Sequence, residues 1–353
     1  MARSASSPQR SRPGVRKRLL RGPGWCRSRR ERALKLLTYD ELPESYDASR
    51  AIVHLAAFGG FPSRRIIDLW RRGTARFAEY VGVFAVAQET VVGQTFVQRI
   101  SYTFPQGTET VAGLAGVATR VDHARTGLAR RILEEVHRRE REAGITHSIL
   151  WTNRSWGAQR LYERLGYRDV YRPPWAARTG PFPHARGSLR GTRPAQKSDL
   201  EEVEDLHARF ARNRWGFAHR PSGFVRTAVA AGELRPRDQL LVARDRGRLL
   251  GYAAYESSRS RTICGELVTT SASGRARLVA GLEARAGRST LAFRDGVVDS
   301  IAPWLQRRQY ATAAAGWFGL MGTTFGRPRA EDELVREFGT HDPRFLCFTG
   351  DRF

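Results

Sequence analysis

The chain has 353 residues, with 60 Lys and Arg against 35 Asp and Glu, for a formal net charge of +25. No apolar run approaches the roughly 18 residues of a membrane-spanning helix. Cys26, Cys264 and Cys347 are far apart and odd in number, which argues against a disulfide framework or a Cys-based metal site and for a reducing, cytoplasmic setting.

The first 32 residues carry eleven Lys/Arg and one acid among Ser, Gly and Pro, with no apolar stretch of a secretory signal. Residues 1–33 therefore read as a disordered basic tail, open to a role as a targeting segment or a nucleic-acid-binding arm. From Leu34 the pattern turns globular. LKLLTY predicts a first strand, Ser49–Ala57 and Ser63–Arg72 predict two amphipathic helices broken at GGFP, and YVGVFAVAQ with TVVGQTFVQRISY predicts a strand pair turned at Glu89–Thr90. TFPQGTET (103–110) reads as a hairpin tip.

Next comes VAGLAGVATRV, apolar and free of proline, which predicts a buried strand. It runs into HARTG, and Leu128, Ala129, Ile132, Leu133 and Val136 then recur at helical spacing. Such a junction leaves backbone N–H groups pointing outward at the positive end of a helix dipole, which suits a phosphate. Arg125, Arg130 and Arg131 add charge, and Gly127 and Ala129 keep the backbone approachable. HSILWTN (147–153) predicts a further strand, Ser155 is a candidate cap for the helix WGAQRLYERLG, and Gly166 ends that helix before YRDVY.

Strand, phosphate-loop helix, strand, helix with an inward Tyr162, Gly166-Tyr167 and strand together resemble the GNAT superfamily of acetyl-CoA-dependent N-acetyltransferases. Its signature is R/Q-x-x-G-x-G/A followed by N-x-x-A-x-x-x-Y-x-x-x-G-F/Y. Ala158, Tyr162, Gly166 and Tyr167 match at the right spacing. Ala124 stands where Arg or Gln is usual, and Ser155 where Asn is usual, with Asn153 two positions earlier. The resemblance implies an α/β (α+β) fold with a mixed, mostly antiparallel sheet, acetyl-CoA as cosubstrate without a metal, and an amine acceptor. It places the cosubstrate along Val117, Ala118 and Thr119, and its pyrophosphate on Ala124, Arg125, Thr126, Gly127, Leu128, Ala129 and Arg130, with Asn153 and Ser155 nearby. Direct attack by the amine needs an oxyanion donor, a proton for the leaving thiolate and a base. Backbone N–H near Ala118–Thr119 serves the first and Tyr162 the second. Glu109, Asp122 and His123 are candidates for the third, of which Glu109 lies nearer the expected amine entrance, and a water relay stays open.

PPWAARTGPFPHARGSLRG after Tyr171 reads as a linker, residues 173–191. Beyond it the pattern repeats. LLVARDRGRLLGYAAYE (240–256) parallels VFAVAQETVVGQTFVQ, Val268-x5-Gly274-x-Ala276-Arg parallels Val121 to Arg130, and Tyr310 aligns with Tyr167. The division expected is a catalytic domain over 34–172 and a degenerate copy over 192–353. In that copy Leu305 replaces Tyr162, Gln309 replaces Gly166, and Arg275 falls at the core-facing position of Leu128. Two other functions remain: an RNA- or polyanion-binding protein, given +15 on the body, and an acyl-CoA sensor that transfers nothing.

Overall fold

A computed structural model describes residues 34–60, 80–182, 191–314, 316–326 and 328–348. The expected basic tail, the second early helix at Ser63–Arg72 and most of the linker lie outside the described residues. In the first half β1 (Lys35–Thr38) and α1 (Asp47–Phe58) precede β2 (Tyr80–Ala87), β3 (Thr90–Phe104) and β4 (Gly107–Thr119). Then come α2 (Leu128–Glu142), β5 (His147–Asn153), α3 (Ala158–Arg164), β6 (Arg168–Tyr171) and β7 (Trp175–Thr179).

The second half runs β8 (Thr192–Pro194), α4 (Leu200–Ala211), α5 (Phe224–Ala231), β9 (Leu240–Asp245), β10 (Arg248–Ser257) and β11 (Arg261–Thr269). It continues with α6 (Ala272–Ala286), β12 (Thr290–Arg294), α7 (Gly296–Arg307), β13 (Ala311–Ala313), β14 (Phe318–Thr324) and α8 (Glu331–Phe338). Two mixed, mostly antiparallel seven-stranded sheets result, flanked by helices, as expected.

The local chemistry is the same in both. The β2–β3 hairpin turns on Gln88 and Glu89, both at positive φ, and the β9–β10 hairpin on Arg246 and Gly247, also at positive φ. Two such residues in succession match the right-handed twist of the strands they join. α2 buries Leu128, Ile132, Leu133 and Val136. Gly93 permits that packing: a Cβ there would lie 2.8 Å from Ile132 Cδ1. Gly251 does the same under α6, where a Cβ would lie 3.0 Å from Leu278 Cδ1.

The sheets do not respect the expected domain boundaries. The first has the order β1-β2-β3-β4-β5-β14-β6 and the second β13-β7-β12-β11-β10-β9-β8. β14, from the second half, pairs antiparallel with β5 from Phe318–Asn153 to Thr324–His147 and also with β6. β7 lies inside the stretch read as a linker, yet it pairs with β12 and β13. Each half thus lends one strand to the other, and Lys35–Phe353 forms one compact unit. The sequence hid this because strand pairing partners are set by tertiary packing, and Trp175–Thr179 carries no signal that separates an extended linker from a strand.

Candidate active site

β4 and β5 run parallel and pair only over Ala112–Ser148, Gly113–Ile149 and Leu114–Leu150. Beyond that point β4 continues to Thr119 and β5 to Asn153 without pairing to each other, so the two strands part there. On its other edge β4 shifts register against β3 between Gln94 and Phe96. Gly116 sits in this bulge at φ 58°, where a Cβ would lie 2.5 Å from the Phe96 ring. Only glycine meets both demands. Val117 and Thr119 are half-buried beside the open edge and Ala118 is buried.

Eight residues, 120–127, carry the chain from β4 to α2. Val121–His123 makes one 3-10 turn, and the Ala124 N–H donates to Val121 O at 3.1 Å. Arg125 and Gly127 are left-handed, with φ of 60° and 82°. Thr126 Oγ1 donates to His123 O at 2.7 Å, which tightens the loop. The first intrahelical bond is Arg131 N–H to Gly127 O, and no side chain among the described residues caps the helix. The amides of Leu128, Ala129 and Arg130 therefore have no intrahelical acceptor. A Cβ on Gly127 would meet no described residue within 4 Å, so the loop is open on that side. Arg125 and Arg131 are exposed, whereas Arg130 Nε is bonded to Glu134 Oε1 at 2.7 Å. This arrangement fits a pyrophosphate: amides without an intrahelical acceptor and the positive end of a helix dipole, with the exposed Arg125 and Arg131 in the loop and the first helical turn.

On the β5 side, Asn153 Oδ1 accepts from the Ser155 N–H at 2.9 Å and from Ser155 Oγ at 2.8 Å. Ser155 does not cap α3, which starts at Ala158 without a side-chain cap; the two residues form a local turn instead. Tyr162 lies on α3, 7% exposed, and burial pushes its hydroxyl up to about 12. Its ring packs edge-on to Tyr167 at 6.0 Å. Tyr167 is fully buried; its hydroxyl donates to Ser148 Oγ at 2.7 Å and meets His137 Nε2 at 2.9 Å. Burial, then the Arg141 charge, pushes His137 down to about 4, so the ring is neutral at pH 7. Tyr162 is thus braced from beneath by a hydrogen-bonded chain through the core.

Glu109 is not brought to this cleft. It pairs across the hairpin with Tyr102, eight residues before Val117, or about 26 Å along an extended strand. There its carboxylate meets His147 Nδ1 at 3.2 Å, and His147 Nε2 lies 3.1 Å from Glu337 of α8. The expectation of a base at Glu109 is therefore corrected. Strand rise puts it at the end of β4 opposite the splay. Asp122 is bound to Arg120 at 2.8 Å and to His123 Nδ1 at 3.0 Å on the exposed face of the loop. The hydrogen bond from His123, and then that from Arg120, hold its carboxyl below the usual range.

Two residues at the bulge escaped the sequence reading. Gln94 is fully buried, and its Nε2 donates to Gly116 O at 3.3 Å and meets His54 Nδ1 at 2.9 Å. His54, on α1, is lowered by burial and by Arg50. The available signal was a glutamine directly after Gly93 in an otherwise apolar strand.

The second half repeats the frame and closes the site. β11 and β12 pair parallel from Arg261–Thr290 to Cys264–Phe293 and then part. Two residues, not eight, join β11 to α6. Ser271 caps α6 by accepting the Gly274 N–H at 3.0 Å. A Cβ on Gly274 would lie 2.4 Å from Thr269 Oγ1, so this glycine serves packing, not ligand access. Arg275 is half-buried while Leu278, Val279 and Leu282 fill the core, so the alignment of Gly274 with Gly127 holds in sequence but not in role. Downstream the expected correspondences hold. Tyr310 N–H bonds Leu305 O at 3.1 Å as Tyr167 N–H bonds Tyr162 O at 3.1 Å, and Gln309 takes the left-handed place of Gly166, at φ 62° against 93°.

Residues 35–170 match the family model of the acetyltransferase (GNAT) domain. Among solved structures, the chain is similar to a GCN5-related N-acetyltransferase from Kribbella flavida, 19% identical, over 83% of this chain and 72% of that one, with a TM-score of 0.59. A conserved protein of unknown function from Enterococcus faecalis V583, a probable N-acyltransferase, is 11% identical over 83% and 73%, with a TM-score of 0.62. A GCN5-related N-acetyltransferase from Anabaena variabilis is 13% identical over 83% and 73%, with a TM-score of 0.60. At these identities the likeness is one of fold. No curated protein matches the chain. Among the described residues no helix is long and apolar enough to cross a membrane, and no group of His, Cys, Asp and Glu could hold a metal.

Proposed function

From a GNAT acetyltransferase domain at residues 35–170, we propose that the chain transfers an acetyl group from acetyl-CoA to a primary amine by direct attack. The observation that carries this is the uncapped α2 N-terminus beside the parted strands β4 and β5. The bound thioester supplies the activated acyl group. The amides of Gly127 to Arg130, with Arg125 and Arg131, hold the pyrophosphate. The free edge of Val117, Ala118 and Thr119 aligns the pantetheine arm and offers an N–H to the carbonyl oxygen as it gains charge, which is worth most in a site shielded from water. The acceptor enters from the side of α1, where His54 and Gln94 fix the bulge at Gly116.

Tyr162 donates to the departing sulfur. At about 12 its hydroxyl stays protonated across the physiological range. An ordinary thiol ionises near ~8.5, so complete transfer from the phenol would run uphill by roughly 5 kcal/mol. Tyr162 therefore acts by hydrogen-bonding the developing thiolate, and the proton finally retained by sulfur comes from the amine nitrogen, through water. This differs from a free-standing acid in one measurable way: the pH–rate profile carries no limb from Tyr162 below pH 10.

The test is transfer itself. Full-length protein with acetyl-CoA and a panel of primary amines should release free thiol only when an amine is present. Thiol release independent of every amine offered, or none at all with tight acetyl-CoA binding, would favour a hydrolase or a sensor instead. The formal net charge of +25 leaves nucleic acid as a secondary partner, read by salt-dependent binding.

A further inference from the structure

The bulge in β4 is held by two consecutive side chains of β3. Across the register shift Gln94 pairs with Ala118 and Phe96 with Ala115, so Gly116 and Val117 share the place opposite Thr95 and neither has a register partner of its own. β5 gives them none either, because its pairing with β4 ends at Leu114. Side chains take the carbonyls instead: Thr95 Oγ1 donates to Ala115 O at 3.4 Å, and Gln94 Nε2 to Gly116 O at 3.3 Å. Both residues are fully buried. As successive residues of a strand they stand on opposite faces of the sheet. Gln94 lies on the face of α1, against His54, and Thr95 shares the face of Gly93, which packs under α2.

The orientation of the Gln94 amide follows from its neighbours. Its nitrogen serves two acceptors, Gly116 O and, at 2.9 Å, His54 Nδ1. Burial and then the Arg50 charge favour the neutral His54 ring, which accepts at Nδ1 and keeps its proton on Nε2. Turned over, the amide would set its oxygen against the Gly116 oxygen. The consequence shows at the other end, where Gln94 Oε1 is buried with no hydrogen bond among the described residues. Such an orphaned acceptor is rare in a core, and here it accompanies a donor fixed on one peptide.

A trans peptide is planar, with its C=O and N–H pointing in opposite directions. With Gly116 O drawn to the α1 face, the Val117 N–H turns to the other face, the side of α2 and of Tyr162, whose ring packs on Tyr167 beside His137. The Ala115 carbonyl, drawn to Thr95, turns the Gly116 N–H the opposite way. We propose that Val117 supplies the N–H that meets the acetyl carbonyl oxygen, and that Gln94 is its positioning residue, held in turn by His54. This rests on the acyl-transfer reading and narrows Val117, Ala118 and Thr119 to one amide. The contact strengthens as charge develops on the oxygen, so Gln94 bears on kcat rather than on the hold of acetyl-CoA.

Variants of the full chain test this. Gln94→Met keeps length and packing but cannot donate. With the primary amine that wild type turns over fastest, it should lower kcat at least about tenfold and leave the calorimetric affinity for acetyl-CoA unchanged. With acetyl-CoA carrying an isotope-labelled carbonyl, the infrared band of the bound thioester should lie below that of free acetyl-CoA in wild type and return towards it in Gln94→Met. Thr95→Val removes the other bulge contact, at equal burial, and should keep both kcat and band. If Gln94→Met does not fold, His54→Phe retains a ring against Phe58 and Phe96 and removes the pin on the amide. It should move kcat and band in the same direction, by less. An unshifted band in wild type, wild-type kcat and band in whichever of these two variants folds, or equal losses in Thr95→Val would overturn the assignment. A wild type that shifts the band yet releases no thiol with any amine would instead count against acyl transfer alone.

Discussion

The two halves share a frame and differ in what they leave unsatisfied. In the first, eight residues separate strand from helix, and α2 begins without a cap. In the second, two residues do the same work and Ser271 fills the capping role from within. The bulge falls at Gly116 in one and at Gly265 in the other, next to Glu266, which is already locked to Arg220. A ligand site is thus a place where the fold withholds an internal partner. Satisfying those groups from inside the chain costs the second half its phosphate site and gains it local stability of roughly 1 kcal/mol per cap.

The largest expected effect breaks the comparison altogether. Ending the chain near residue 190 removes β14 from between β5 and β6, with the buried Leu320 and Met321. Burial of two such side chains is worth roughly 3–6 kcal/mol before any ladder bond is counted, against a typical total of about 5–15. The fragment should lack a cooperative thermal transition and should not bind acetyl-CoA. A folded, binding-competent fragment would refute the strand exchange.

Gly127→Glu and Gly274→Glu should separate the roles of two glycines that align in sequence. The first puts a carboxylate in open space before the helix and should weaken acetyl-CoA at least about 100-fold by calorimetry, with a modest stability loss of roughly 1–2 kcal/mol from its left-handed φ. The second meets Thr269 and the Leu250 carbonyl and should unfold the chain. If Gly274→Glu were folded and Gly127→Glu bound normally, the assignment of the two junctions would be inverted.

Tyr162→Phe should lower kcat by about 10²-fold with little change in acetyl-CoA affinity. Equal loss in kcat and in binding would mark it as a packing residue. A smaller effect concerns the brace beneath it. His137 ionises near 4 when folded and near ~6.5 when free, so between these values the unfolded chain holds more protons. Stability should therefore be full above pH 6.5 and fall as pH drops towards 4, by up to about 3 kcal/mol. His137→Gln keeps a donor to Tyr167 and should flatten that part of the stability–pH curve. An unchanged slope would mean that another group titrates there.

Much of the first half was legible because its determinants are local. The alternation in residues 80–119, the helical spacing after Gly127 and the glycines at 127 and 166 each specify backbone geometry within a few residues. Three things were not. Glu109 was misplaced because a strand's length, not its composition, decides which end meets the cleft. Val268 was aligned with Val121 because V-x5-G-x-A-R matches as letters, although the first valine lies in β11 and the second in the turn beyond β4. β7 and β14 were missed because nothing in a strand's own residues says which sheet it will join.

The exchange of β7 and β14 sets a schedule for the chain as it leaves the ribosome. β5 and β6 are made by residue 171, but the strand that fills the gap between them begins at Phe318. At about 5–20 residues per second that interval lasts roughly seven to thirty seconds. During it two unpaired strand edges of the first sheet stand open to any other extended peptide. The second sheet has the opposite order, since β7 is already waiting when β12 and β13 arrive. The nascent protein therefore completes its first sheet last, and a helper that shields strand edges during synthesis should raise its soluble yield.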